Sequence, residues 1–124
     1  MSTSNYALYY SPGSASLVVH WMLIELDAPH TLVLVDTAAG AQKRPEYLAL
    51  NPNGVVPTLV IDGMPHYEAA ALLMHLADAF PASTLAPALS DPRRVGYTQW
   101  LFNLANMVQP LFRQWWYPAE PAGD

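Results

Sequence analysis

The stretch that most constrains this chain runs from Asn51 to Glu68, Asn-Pro-Asn-Gly-Val-Val-Pro-Thr-Leu-Val-Ile-Asp-Gly-Met-Pro-His-Tyr-Glu. Each turn element in it has a backbone reason. Asn51-Pro52-Asn53-Gly54 is a turn, since proline presets φ at one position and glycine supplies a positive φ at another. Thr58 to Ile61 is β-branched and apolar, as a strand requires. Asp62-Gly63 is the favoured two-residue type I′ link to a second short strand ending at Tyr67. The result is a β-hairpin entered through Val56-Pro57 and left through Glu68, where a helix begins. An X-Pro bond at so tight a bend is one of the few places where a cis peptide is tolerated. A cis Val56-Pro57 bond would free the N–H and C=O of Val56 to pair with an extended peptide, as in β-strand addition.

The preceding residues supply a strand-helix-strand unit. Tyr6 to Tyr10 reads as a strand stopped by Ser11-Pro12-Gly13, and Ser14 or Ser16 can cap the helix that follows. Leu17, Val18, Trp21, Met22, Ile24 and Leu26 carry that helix to Asp27-Ala28-Pro29, where Pro29 helps to end it. Thr31 to Val35 has the composition of a second strand, and a right-handed crossover makes the two strands parallel neighbours. Gln42 to Leu50 reads as a short, poorly amphipathic helix. After the hairpin, Ala69 to Phe80 is rich in Ala and Leu with no breaker before Pro81, which predicts a helix. The order is βαβαββα, an α/β domain over residues 1–80.

Residues 81–91, with Pro81 and Pro87 and bounded by Pro92, lack periodicity and read as a linker. Beyond them, Val95 to Trp116 reads as one long helix within residues 92–117. Its apolar residues, among them Trp100, Leu104, Val108, Leu111 and Trp115, cover about half the circumference. So broad a face needs a second neighbour, either further helices or another subunit. Pro110 lies inside the pattern, its ring opposing the carbonyl of Asn106, which predicts a kink. Residues 118–124 form a tail.

Composition narrows the partners. Hydrophobic residues make up 52% of 124, enough for a core. Five basic against ten acidic residues give a formal charge of -5, so the attraction that holds nucleic acids or anionic membranes is missing. The absence of cysteine excludes disulfides, thiolate metal sites and a Cys-x-x-Cys redox centre, so a reactive thiol must come from a ligand. His20, His30, His66 and His75 have no ligand spacing, and no metal site is expected. No leader pattern opens the chain and no apolar run reaches membrane-spanning length, so the expected address is cytoplasmic.

Leu8-Tyr9-Tyr10-Ser11-Pro12-Gly13-Ser14, taken with Val56-Pro57, Asp62-Gly63 and Glu68, resembles the cytosolic glutathione transferase family. The bacterial, theta-, delta- and beta-like branches are the nearest. The resemblance covers residues 6–117. It implies a thioredoxin-like domain followed by one long α-helix, the first of an incomplete all-α domain truncated relative to the family. It also implies glutathione as co-substrate, a small hydrophobic electrophile as the second substrate, and a homodimer.

The implied chemistry is activation of the glutathione thiol, whose unperturbed pKa of about 8.5 leaves only about a few per cent as thiolate at neutral pH. A helix N-terminus offers unpaired N–H groups and a positive dipole end, and a serine hydroxyl there can donate to the sulfur. By its match to delta-like members Ser14 is the first candidate. Ser16 and Ser11 are rivals, and Tyr10 is a fourth because a tyrosine ending the first strand serves in some branches. Ala15 stands where the beta-like branch has its cysteine. A plain helix cap is the competing role for Ser14.

For binding, the resemblance assigns the Val56 backbone, presented by Pro57, to the cysteinyl residue of glutathione, and Glu68 to the γ-glutamyl ammonium. Ala69 departs from the family's Ser or Thr, leaving a backbone N–H and the helix dipole for the γ-glutamyl carboxylate. The lost hydrogen bond to a charged group costs about 1.5–3 kcal/mol. Without a ligand, Glu68 is an acidic residue at a helix start and Pro57 a rigid turn. The family's electrophile wall comes largely from its second domain, here reduced to residues near Tyr97, Leu101, Leu104 and Val108. Two other functions stay open: a non-catalytic interaction module using the long helix, and a glutathione-dependent reductase or peroxidase.

Overall fold

The computed structural model describes residues 3–120; the first two residues and the last four of the tail lie outside the described residues. The chain divides into two units between Leu85 and Ala86. The first contains β1 (Tyr6–Tyr10), α1 (Ser16–Glu25), β2 (His30–Leu34), α2 (Pro45–Leu48), β3 (Thr58–Ile61), β4 (Met64–Tyr67) and α3 (Ala69–Ala79). This is the expected βαβαββα order. The strands form one sheet in the order β2-β1-β3-β4. β1 and β2 are parallel, as a strand-helix-strand crossover requires, and β3 runs antiparallel to both β1 and β4.

Alternation along β1 gives the sheet two different faces. Tyr6 and Leu8 are buried in a core with Val19 and Leu23 of α1, Leu59 of β3, and Leu72 and Leu76 of α3. The Tyr6 and Phe80 rings close the far end of this core at 6.3 Å. On the opposite face, the Tyr9 ring meets that of Tyr47 at 6.1 Å.

α1 ends in a Schellman motif, with Ala28 N–H on the Leu23 carbonyl and Asp27 N–H on that of Ile24, both at 2.9 Å. Asp27 takes the left-handed position at φ 50°. The helix therefore stops before Pro29 is reached. The helix read over Gln42 to Leu50 is instead a 3₁₀ turn, Ala41–Lys43, followed by the single turn of α2. Pro45 causes the break: it forces Arg44 into extended backbone at φ -76°, ψ 148°, and then serves as the first residue of α2. The hairpin turn carries positive φ at both Asp62 and Gly63, the type I′ requirement.

The second unit holds α4 (Arg94–Asn103), a π-helical turn over Leu104–Val108, and α5 (Gln109–Trp116). The predicted disturbance around Pro110 takes the form of this π turn. Widening the hydrogen-bond ring just before the proline accommodates a residue that has no N–H to give. No helix among the described residues is long and apolar enough to cross a membrane.

Candidate functional site

Sheet register gathers the candidate residues. Tyr9 of β1 pairs with Thr58 of β3, and Thr58 pairs in turn with Tyr67 of β4. These three residues form one row across the sheet. The loop Ser11 to Ser14 leaves just after it, Val56-Pro57 arrives just before it, and Glu68 follows it directly. Three segments far apart in sequence therefore emerge at the same end of the sheet.

In the first segment the serines bond to one another. Ser16 is only 1% exposed, and its hydroxyl accepts the Ser11 N–H at 3.1 Å and lies 3.1 Å from the Ser11 carbonyl. The Ser14 hydroxyl lies 2.6 Å from both that carbonyl and Ser16 Oγ, and accepts the N–H of Ser16, first residue of α1, at 3.2 Å. Two protons serve this triangle, so one hydroxyl can turn outward only by giving up an internal bond. Ser14 is half-buried and Ser16 enclosed. Ser11 is buried as well, its hydroxyl 3.1 Å from Thr37 Oγ1. Tyr10 packs on the α1 side of the sheet, its ring 6.2 Å from that of His20.

The second segment is braced from below. The Val56–Pro57 peptide is cis. No hydrogen bond engages the Val56 backbone among the described residues. The preceding carbonyl, by contrast, is doubly held: Val55 C=O accepts the Tyr47 hydroxyl at 2.6 Å and Asn51 Nδ2 at 3.0 Å. Tyr47 Oη also lies 2.7 Å from Thr58 Oγ1, which receives Asn51 Nδ2 at 3.3 Å. Burial pushes the Tyr47 phenol pKa up, with the bonds to Thr58 and Asn51 opposing it. Gly54 closes the turn at φ 61°, where an added Cβ would meet Lys43 Nζ at 3.0 Å and the Gln42 carbonyl at 3.1 Å.

Glu68 sits at φ 76°, ψ 100°, a region costing a non-glycine residue about 1–3 kcal/mol. Its carboxylate is exposed and does not cap α3. The first bond of that helix runs from Leu72 N–H to the Glu68 carbonyl at 3.0 Å, so the amides of Ala69, Ala70 and Ala71 precede any intrahelical partner. Unpaired amides and the dipole make this a place where an anion is stabilised.

Sequence reasoning missed two features. Asn51 read only as a turn residue, although a buried amide must find partners, and its link to Tyr47 depends on α2 folding back under β3. His20 and His30, far apart in sequence, meet edge-on at 5.5 Å, while His30 Nδ1 bonds the Ala28 carbonyl at 2.7 Å. Among the described residues no group of three or more His, Asp or Glu side chains could hold a metal ion.

The sequence profile of the glutathione S-transferase N-terminal domain matches residues 13–79. Among curated relatives, the glutathione S-transferase GST-4.5 of Xanthomonas campestris is 35% identical over 86% of this chain and 51% of its own length. The disulfide-bond oxidoreductase YfcG of Escherichia coli is 29% identical over 86% of this chain and 52% of its own. A solved glutathione transferase homologue from Sulfitobacter, with bound glutathione, superposes with a TM-score of 0.78 at 34% identity, covering 84% of this chain and 50% of that one. The chain spans about half the length of the curated relatives it matches. A profile match over more than half of the residues, on a fold shared with solved transferases, establishes that this chain belongs to the glutathione S-transferase family.

Proposed function

We propose that this chain binds glutathione at the sheet end formed by Ser11–Ser14, Val56 and Glu68, and that its thiolate is added to a small hydrophobic electrophile. The observation that carries the reading is the register row Tyr9-Thr58-Tyr67, which puts all three segments at one end. The parts suit the ligand. An extended peptide pairs its backbone with the unengaged Val56, its ammonium meets the Glu68 carboxylate, and its γ-glutamyl carboxylate lies at the start of α3. Ser14 then donates to the sulfur, exchanging its bond to the Ser11 carbonyl, while Ser16 holds the loop. Residues 1–80 carry this site and residues 92–117 open the helical domain. The chain belongs with the bacterial theta-, delta- and beta-like branches and works in the cytoplasm as a homodimer without nucleic-acid or membrane partners.

Calorimetric titration of glutathione at neutral pH tests the reading. Millimolar affinity or better is expected, weakened in Glu68→Gln, and absence of heat in the folded wild type would overturn it. Where turnover is measurable, Ser14→Ala is expected to lower it about tenfold or more. A second reading follows from the oxidoreductase relative: the same thiolate would attack a disulfide. Glutathione-dependent reduction of a model disulfide without conjugation to an aromatic electrophile would favour it. Glutathione binding with neither activity would favour the non-catalytic interaction module.

A further inference from the structure

We infer that Tyr47, Asn51 and Thr58 form a buried buttress that positions Val56 for its ligand and so sets glutathione affinity without touching glutathione. The inference rests on the proposed site but is carried by a separate observation, a polar network on the face of the sheet opposite the main core. Asn51 and Thr58 are both 0% exposed and Tyr47 is 5% exposed. The bonds of Tyr47 and Asn51 converge on one acceptor, the Val55 carbonyl, one residue before the backbone that would pair with the peptide, and Thr58 braces both donors.

The proton count closes. The Tyr47 hydroxyl donates to Val55 C=O, and the Thr58 hydroxyl donates to Tyr47 Oη. The two Asn51 amide protons go to Val55 C=O and Thr58 Oγ1, and Asn51 Oδ1 accepts the Asn53 N–H at 3.0 Å. Each side-chain donor is used, and the network couples α2, the turn and β3. Because Thr58 belongs to the register row, the buttress ties Val56 to the same sheet end that holds Ser14 and Glu68. Among the described residues Val56 makes no hydrogen bond of its own, so its orientation depends on its neighbours being fixed. Val55 is held by this network and Thr58 by the sheet. A supporting shell of this kind decides whether a binding group is preorganised or must be ordered by the ligand.

The test compares wild type with Tyr47→Phe, Thr58→Val and Thr58→Ser in the full chain, at a temperature where circular dichroism shows each folded. Two readouts are taken: the glutathione dissociation constant, and the amide order parameter of Val56 without ligand. Tyr47→Phe and Thr58→Val each remove one hydroxyl and are expected to weaken glutathione by about threefold to tenfold. In both, the Val56 order parameter is expected to fall from about 0.85 toward about 0.6. Thr58→Ser keeps the hydroxyl and is expected to restore both values. A merely structural network would lower the melting temperature of the first two variants while leaving both readouts at wild-type values, and that result overturns the inference. If folded wild type binds no glutathione, the proposed function falls, and with it the claim that the buttress sets glutathione affinity. The order parameters then decide separately whether the network holds Val56 at all.

Discussion

At the residue scale, the candidate site concentrates its cost in Glu68 and its deficit in Ala69. Glu68 occupies a positive-φ position that side chains rarely adopt, and its exposed carboxylate does not cap α3. Stability and binding therefore pull in opposite directions. Glu68→Gly is expected to raise stability by about 1 kcal/mol through relief of backbone strain, and to weaken glutathione by removing the ammonium partner. Thermal unfolding and calorimetry read the two signs; a variant both less stable and equally tight-binding would contradict the assignment. Ala69 begins α3 with no hydroxyl to add to its amide. Ala69→Ser is expected to tighten glutathione by about tenfold to a hundredfold, the effect of one added hydrogen bond to a charged carboxylate, as measured in the same titration. The serine triangle separates two residues that look equivalent in sequence: Ser16 locks the turn from inside, and Ser14 sits at its surface.

Helix starts and breaks show what each element needs from its local sequence. Just before α4 stands Asp91-Pro92, at the end of the stretch that reads as linker. Asp91 Oδ1 accepts the Arg93 N–H at 2.8 Å, and its carboxylate meets the Arg93 guanidinium at 2.7 Å. The guanidinium first, and then the backbone N–H, hold this carboxyl at about 2, against 3.8 for a free aspartate. The folded value is the depressed one, so the contribution is complete above about 3.8 and lost as pH falls through about 2. Acid titration followed by circular dichroism is expected to show wild type losing more helical signal across that window than Asp91→Asn. Superimposable curves would remove Asp91 from the helix start. Further along, the π turn at Leu104–Val108 is where the chain absorbs Pro110. Position and cause were readable from one residue, whereas the choice of a π turn over a bend depends on how the flanking turns relax.

For the molecule as a whole, apolar surface is left over on both units. On α1, Leu17, Trp21 and Ile24 are exposed although their neighbours Val19 and Leu23 are fully buried, and on α5 Leu111, Trp115 and Trp116 are exposed. Faces of this size on a short chain favour association. Sizing with light scattering is expected to give the mass of two chains, and a monomer at high concentration would contradict the homodimer. The hairpin with Val56-Pro57 at its entry and Glu68 at its exit, the strand-helix-strand unit and the start of α3 were legible in the sequence. Each depends on local backbone preference or on apolar periodicity. Tertiary structure decided what separation along the chain conceals. Sheet register made one sheet end of three distant segments, and burial enclosed Ser16 while leaving Ser14 near the surface. The folding of α2 beneath β3 gave Asn51 and Tyr47 a shared acceptor. Conformational preference is written residue by residue, but a buried polar group's partners exist only once the chain has closed around them.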